Sequence, residues 1–337
     1  MLDLIKEYII KFTDFVCGWP LFTLLIGGGI FLFIYSRALP LRKLGMAVSS
    51  LKMKKKGEGQ VSSFQALMNT ISSTVGMGNI AGVAIALCVG GPGAIFWMWV
   101  SALLGMATKF FEGTLAVMYK GKDDKGVAQG GPMFVLTEGI GRKMKPLAVM
   151  FAFCALFSGL PVMQANQLSE SLYSVILEPL GVPESRWVFL VIGLVIGGIV
   201  SLVIFGGIKR ISQVSSKIVP FMVGFYFLMV VGIMVVYHDR LPSVFEAIFE
   251  GAFCWKAGFG AFTAVALTGA RRAMFVNEAG VGTAGMMHGA SMNAEPVREG
   301  LVAMLGPAID SGLVCTLSAI PMIMAGLYST DSIKGLS

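Results

Sequence analysis

An all-α membrane protein, folded as a bundle of inverted helical repeats, is the fold class this sequence predicts, and three observations predict it. Charged residues make up 13% of the 337 and hydrophobic ones 55%, against about 25% charged in an ordinary soluble domain, and the mean hydropathy is +0.78. The apolar residues gather into stretches of the roughly 20 residues that cross a bilayer. Eight such stretches lie near 15–36, 68–90, 92–118, 147–178, 187–206, 212–237, 252–275 and 299–327. Two of them, 68–90 and 252–275, are interrupted by glycines and by alternation run in opposite directions. Paired broken spans at matching places in two halves point to the binding region of a secondary transporter. The formal charge of +7 comes from bases in the loops between apolar stretches, so it speaks for orientation in a membrane and not for nucleic-acid binding.

Asp3, Lys6, Glu7, Lys11 and Asp14 precede the first apolar stretch, and no small-residue cleavage site follows, so no cleavable signal is expected. The stretch 15–36 has glycines but no polar residue at its centre and reads as a peripheral helix. Arg37, Arg42, Lys43, Lys52, Lys54, Lys55 and Lys56 follow against the single acid Glu58, which places that loop inside. Alternation then puts inside the loop at 119–146 (Lys120, Lys122, Lys125, Arg142, Lys143, Lys145), Lys209-Arg210, and Arg271-Arg272 with Arg298. Both termini fall outside. The organisation is one transmembrane domain: 1–60 peripheral helix and basic loop, 61–237 first five-helix repeat, 250–337 an incomplete second repeat.

The first broken span carries Gly76, Gly78, Asn79 and Gly82. A glycine costs roughly 1 kcal/mol against alanine inside a helix, and backbone opened at membrane depth is tolerable only beside a cavity or within protein. The glycines fit either a ligand site or close helix packing through small residues; Asn79 among them favours a site, because buried polar groups need partners. Gly91-Pro92 marks a turn, and Trp97 and Trp99 suit the headgroup interface. Lys109 and Glu112, spaced i, i+3, share a helix face and are expected to pair with each other or with a gate residue.

The span 147–178 contains Pro161, Gln164, Asn166, Gln167, Ser169 and Glu170. Such a face turns towards the bundle interior or water, with Gln164 nearest mid-span as ligand contact or member of a packing network. Within 252–275, Gly258, Gly260 and Gly269 predict the second break, and Asn277 to Ala284 reads as an inner gate or re-entrant connection, or as an ordinary loop. Cys17, Cys88, Cys154, Cys254 and Cys315 have no CxxC or ligand spacing and read as reduced core residues. His238 and His288 sit in expected loops without a nucleophile or metal partner at useful spacing, which argues against an enzyme.

Several longer motifs are distinctive: Gly-Asn-Ile-Ala-Gly-Val-Ala at 78–84, Gly-Gly-Pro-Gly-Ala-Ile-Phe-Trp-Met-Trp at 90–99, Gly-Met-Ala-Thr-Lys-Phe at 105–110, Gly-Gly-Pro-Met at 130–133, Gln-Ala-Asn at 164–166, Ile-Phe-Gly-Gly-Ile-Lys-Arg at 204–210 and Asn-Glu-Ala-Gly at 277–280. On these the chain resembles the alanine or glycine:cation symporter family of the amino acid–polyamine–organocation superfamily. The resemblance implies a leucine-transporter-type fold and import of alanine or glycine across the cell (inner) membrane by alternating access. It implies coupling to Na⁺, or H⁺ in some members, and no other cofactor. The family usually shows Gly-Thr-Gly-Asn where this chain has Gly76-Met77-Gly78-Asn79, a departure that bears on substrate preference. The chain ends at Ser337 after the seventh core span where ten are expected, so a truncated membrane protein that binds or scaffolds without uptake is the second expectation.

The expected chemistry follows from a zwitterionic substrate. Backbone N–H groups around Gly78–Ile80 and the Asn79 amide would hold its carboxylate, because half-helix N-termini attract anions. Carbonyls freed at Gly258–Gly269, with Gln164, would take the ammonium; Gly260, Phe262 and Thr263 would line the pocket, Phe262 as its bulky wall. Na⁺ would sit against carbonyls near Gly76 with Thr74 and Asn79. Lys109, Glu112, Asn277 and Glu278 would form the gate. The oligomeric state is not legible.

Overall fold

A computed structural model describes residues 2–16, 18–51, 57, 59–123, 126–253, 259–326 and 328. Of the positions named above, Cys17, Lys52, Lys54, Lys55, Lys56, Glu58, Lys125, Cys254 and Gly258 lie outside them, as does the side chain of Met77. The helices are α1 (Leu2–Val16), α2 (Trp19–Tyr35), α3 (Leu39–Arg42), α4 (Leu44–Ser50), α5 (Ser63–Thr74), α6 (Met77–Gly90), α7 (Gly93–Met118), α8 (Pro132–Phe134) and α9 (Lys145–Ser158). There follow α10 (Val162–Leu172), α11 (Arg186–Ile204), α12 (Gly207–Val236), α13 (Leu241–Ala252), α14 (Phe259–Asn277), α15 (Thr283–Gly289), α16 (Pro296–Ala303), α17 (Leu305–Pro307) and α18 (Cys315–Met324). A π-helical turn, Ala308–Val314, joins the last two. Two-residue strands, Gly121–Lys122 and Ala128–Gln129, pair antiparallel in the loop after α7.

Among the described residues four helical stretches are long and apolar enough to cross a membrane by themselves: Gly93–Met118, Arg186–Ile204, Gly207–Val236 and Pro296–Met324. The pair α5 and α6 makes a fifth, bent by 47°. Pro20–Tyr35 is a shorter apolar helix. The stretch 147–178 divides into α9 and α10, because Pro161 has no N–H to continue the ladder and Val162 N–H bonds back to the Leu160 carbonyl instead. Arg271 and Arg272, expected in a loop, lie inside α14; the Ala-Arg-Arg-Ala-Met run keeps good helix formers past the end of the apolar window.

The second break is not at Gly260–Gly269 either, since α14 runs unbroken through both. At Gly269 an added Cβ would stand 2.2 Å from the Ala94 carbonyl oxygen and 2.8 Å from Trp97 Cβ. That glycine is a packing notch that seats α14 on α7, as small residues do between membrane helices. The start of α5 is set locally: Ser62 Oγ accepts the Gln65 N–H at 3.2 Å while Gln65 Oε1 accepts the Ser62 N–H at 3.0 Å, a reciprocal capping box.

The core forms around α7. On one side Val83 and Leu87 of α6, Ile95 and Met98 of α7, Ile248 of α13, Val276 of α14 and Ile320 of α18 pack together. On the other, Leu67 and Ile71 of α5 meet Met106 and Phe110 of α7 with Leu301 and Met304. Trp97 and Trp99, both partly buried, tie α7 to its neighbours by donating to the Ala252 carbonyl (3.2 Å) and the Thr316 hydroxyl (2.7 Å).

Candidate functional site

The α5–α6 break lies at Val75 and Gly76, where the backbone turns extended. The Gly76 N–H, which would bond the Ser72 carbonyl in an unbroken helix, donates instead to Asn79 Oδ1 at 3.0 Å. The same amide donates through Nδ2 to the Asp310 carbonyl (3.4 Å) and Cys315 Sγ (3.5 Å). Asn79 is thus buried and spent on the protein itself: it caps α6 and ties it to the π-helical turn. Thr74, the last residue of α5, donates its hydroxyl to Asp310 Oδ2 at 2.5 Å. Beside Gly76, where an added Cβ would meet nothing within 4 Å, a cavity of about 130 Å³ opens between Val75, Gly76, Asn79, Ile80, the α12 residues Met222, Val223 and Tyr226, and Val314.

A second break follows α14. Glu278, Gly280 and Gly282 take positive φ values of 51°, 87° and 97°, a run glycine tolerates and other residues rarely adopt. Asn277, 1% exposed, closes this break as Asn79 closes the first: its Oδ1 accepts the Ala279 N–H (3.0 Å) and its Nδ2 donates to Ser311 Oγ (3.2 Å). An added Cβ at Gly105 of α7 would meet Asn277 Nδ2 at 3.3 Å, so that glycine lets the break come close. Helices α6 and α14 run antiparallel, with Val276 against Gly78 and Gly82 and Thr268 against Gly90. Helix α15 packs on α5, and the two breaks therefore lie side by side.

The structure brings together Thr74, Gly76 and Asn79 with Asn277, and adds Asp310 and Ser311. Gly78 faces Val276 as a packing residue of α6. Gly260, Phe262 and Thr263 are elsewhere: Thr268 already stands at the far end of α6, and these three precede it by more than a helical turn. Phe262 lies edge-on to Trp97 with ring centroids 5.4 Å apart, and the Thr263 hydroxyl donates to the Gly260 carbonyl at 2.9 Å. Gln164 is exposed on α10, a helix that packs on its own following turn and on α11 and not on either break.

Lys109 and Glu112 do not pair. Glu112 Oε1 accepts the Gly285 N–H at 2.8 Å, in the first turn of α15, where the helix dipole favours an acid. The Lys109 ammonium is buried with no hydrogen-bond partner among the described residues. Glu278 Oε2 accepts from the Thr283 hydroxyl at 2.5 Å and so bridges its own break. His288 is not in a loop but in α15 and fully buried. Its Nδ1 lies 2.7 Å from Glu299 Oε1, while Ser63 (2.6 Å) and Asn293 (3.2 Å) donate to Oε2. His238 is exposed beside Asp239. Among the described cysteines Cys315 is a buried free thiol, whereas Cys88 and Cys154 are exposed and not core.

Sequence reasoning missed Asp310. The signal was there: it is the one acid between Glu299 and Asp331, and an ionisable residue inside an apolar span marks function before structure.

Comparison with known proteins adds the lineage. Residues 2–337 match the sodium:alanine symporter family. A sodium/alanine symporter of Methanococcus maripaludis is 38% identical over 334 residues, covering 96% of this chain and 72% of that protein. An uncharacterized transporter of Haemophilus influenzae is 37% identical over 341 residues, 98% of this chain and 72% of the relative. A probable sodium/glutamine symporter of Bacillus subtilis is 32% identical, covering 99% of this chain and 69% of its own length.

Proposed function

The chain belongs to the sodium:alanine symporter family, whose members are transporters and not enzymes, and from that premise we propose that it moves a small neutral amino acid, alanine or glycine, with Na⁺ by alternating access. The observation that carries this reading is the cavity of about 130 Å³ at the α5–α6 break, next to a second break on an antiparallel neighbour. A hollow of that size admits a small side chain. The Asn79 N–H bonds the Gly76 carbonyl at 3.1 Å, which leaves the N–H groups of Gly78 and Ile80 at the positive end of α6 to suit the substrate carboxylate. Na⁺ fits the oxygen-rich end of α5, at Thr74 and the carbonyl of Gly76, with Asn79 holding the break open. Ion binding stabilises the opened helix, and by linkage the substrate raises Na⁺ affinity by the factor Na⁺ raises its own.

The broken pairs α5/α6 and α14/α15 are counterparts in two inverted repeats, 61–237 and 250–337, of a leucine-transporter-type bundle, preceded by the peripheral 1–60. The bonds of Glu112 to α15 and of Glu278 to Thr283 act as the gate beside Asn277 and Lys109. The basic loops face the cytoplasm and the N-terminus the outside of the cell membrane. A protein that only binds or scaffolds finds no support in the family match. The experiment is alanine and glycine uptake into proteoliposomes under a Na⁺ gradient, a choline control and a pH gradient. Uptake stimulated by inward Na⁺ is expected; pH-driven uptake would assign H⁺ instead, and indifference to both ions would end the symport reading.

A further inference from the structure

We propose that Asp310 is a direct ligand of the coupling cation, bound between its carboxylate and the open end of α5; this rests on the symport reading above and names the charged group in it. Asp310 is 1% exposed, in the π-helical turn of the last span. Its Oδ2 accepts the Thr74 hydroxyl at 2.5 Å, and its Oδ1 has no partner among the described residues. An ionised carboxylate taken out of water is costly unless it is paired or coordinates a cation. The candidate pairing is not made: Lys109, on the adjacent α7, is equally buried, yet no ion pair joins the two. The carboxylate therefore keeps one oxygen free.

What surrounds that oxygen selects a cation. The break diverts the Gly76 N–H to Asn79, so the last turn of α5 keeps carbonyls without helical donors, and a helix C-terminus carries partial negative charge. The hydroxyl of Thr74 and the backbone of Asp310, gripped by Asn79 at 3.4 Å, complete a set of oxygens. Oxygen-only sites suit hard cations, and no group of three or more His, Cys, Asp or Glu that could hold a metal ion occurs among the described residues. One bound ion would offset the buried charge and fasten α5 to the π-helical turn at once, which makes ion occupancy and the geometry of the break the same event.

The test is Na⁺-dependent thermal stabilisation of the purified chain in detergent, with choline chloride at matched ionic strength, for wild type, Asp310→Asn and Asp310→Glu. For the wild type we expect a saturable rise in Tm with Na⁺. Asp310→Asn keeps its Tm in choline, because it removes a buried charge without changing shape, but loses the Na⁺ response or needs about tenfold more Na⁺, as befits losing one charge-assisted contact. Asp310→Glu keeps the charge at the wrong distance and retains a weakened response, a check that stands if the asparagine variant does not fold. Asp310→Asn with the wild-type Na⁺ midpoint overturns the assignment and leaves symport intact. A wild type whose Tm and uptake both ignore Na⁺ overturns both.

Discussion

The stretch Pro296–Met324 and the helix α11 are both long enough to cross a membrane, yet 72% of the first is buried within the protein and none of the second. Helix α7 falls with the first group at 56% and α12 with the second at 11%. The more apolar helices are the exposed ones, and the buried ones carry Lys109, Glu299 and Asp310 among small residues. In water the order would be reversed. Lipid is as apolar as leucine, so it rewards an apolar surface, while helix association depends on close approach and on satisfied polar groups. Hydropathy here marks the exposed faces, and polarity marks the bundle.

That contrast can be broken at several points. The largest effect is expected at the network beneath α5. Glu299→Ala leaves His288, Ser63 and Asn293 buried without their acceptor, at a cost of about 3–5 kcal/mol, read as a large fall in the midpoint of SDS or thermal unfolding. Next comes Gly269→Leu, whose side chain would drive into the Ala94 carbonyl. Overpacking of this kind costs about 1–3 kcal/mol, and failure to see it would mean that α14 does not seat on α7. Asn79→Ala removes the cap of α6 and the tie to Asp310. A lost cap is worth about 0.5–2 kcal/mol, and Na⁺-stimulated alanine uptake should fall further than that stability loss explains. The smallest effect belongs to α11: Leu194→Ala, on a residue 67% exposed, should stay within about 0.5 kcal/mol. A larger loss would show that another protein surface, and not lipid, covers that helix.

Much of this was legible without coordinates. Gly76 and Asn79 do mark a break, because a glycine followed three residues later by an amide both weakens a helix and supplies the group that restarts it. The second break is expected over Gly258–Gly269; the helix is continuous from Phe259 onward, Gly258 lies outside the described residues, and a break lies at Glu278–Gly282. A glycine inside an apolar run serves equally as notch or hinge, and only the neighbour decides: Ala94 stands against Gly269, whereas Gly280 and Gly282 take a left-handed backbone. Gln164 is exposed on α10, a placement that polarity alone does not decide. Lys109 and Glu112 share a helix face, yet one points into the interior and the other caps α15.

What the sequence alone determined is everything a one-dimensional pattern can hold: membrane residence from composition, the family from ordered motifs, and the opening of α5 from α6. Which polar residues converge was decided only by the tertiary structure. Asp310 comes to Thr74 across 236 positions of chain, and Asn277 meets Ser311, because antiparallel packing of the broken helices puts their open ends together. Local propensity has no term for that meeting; it exists only once α7 has gathered both pairs, with Gly105 admitting Asn277, and the buried oxygens have to find partners there.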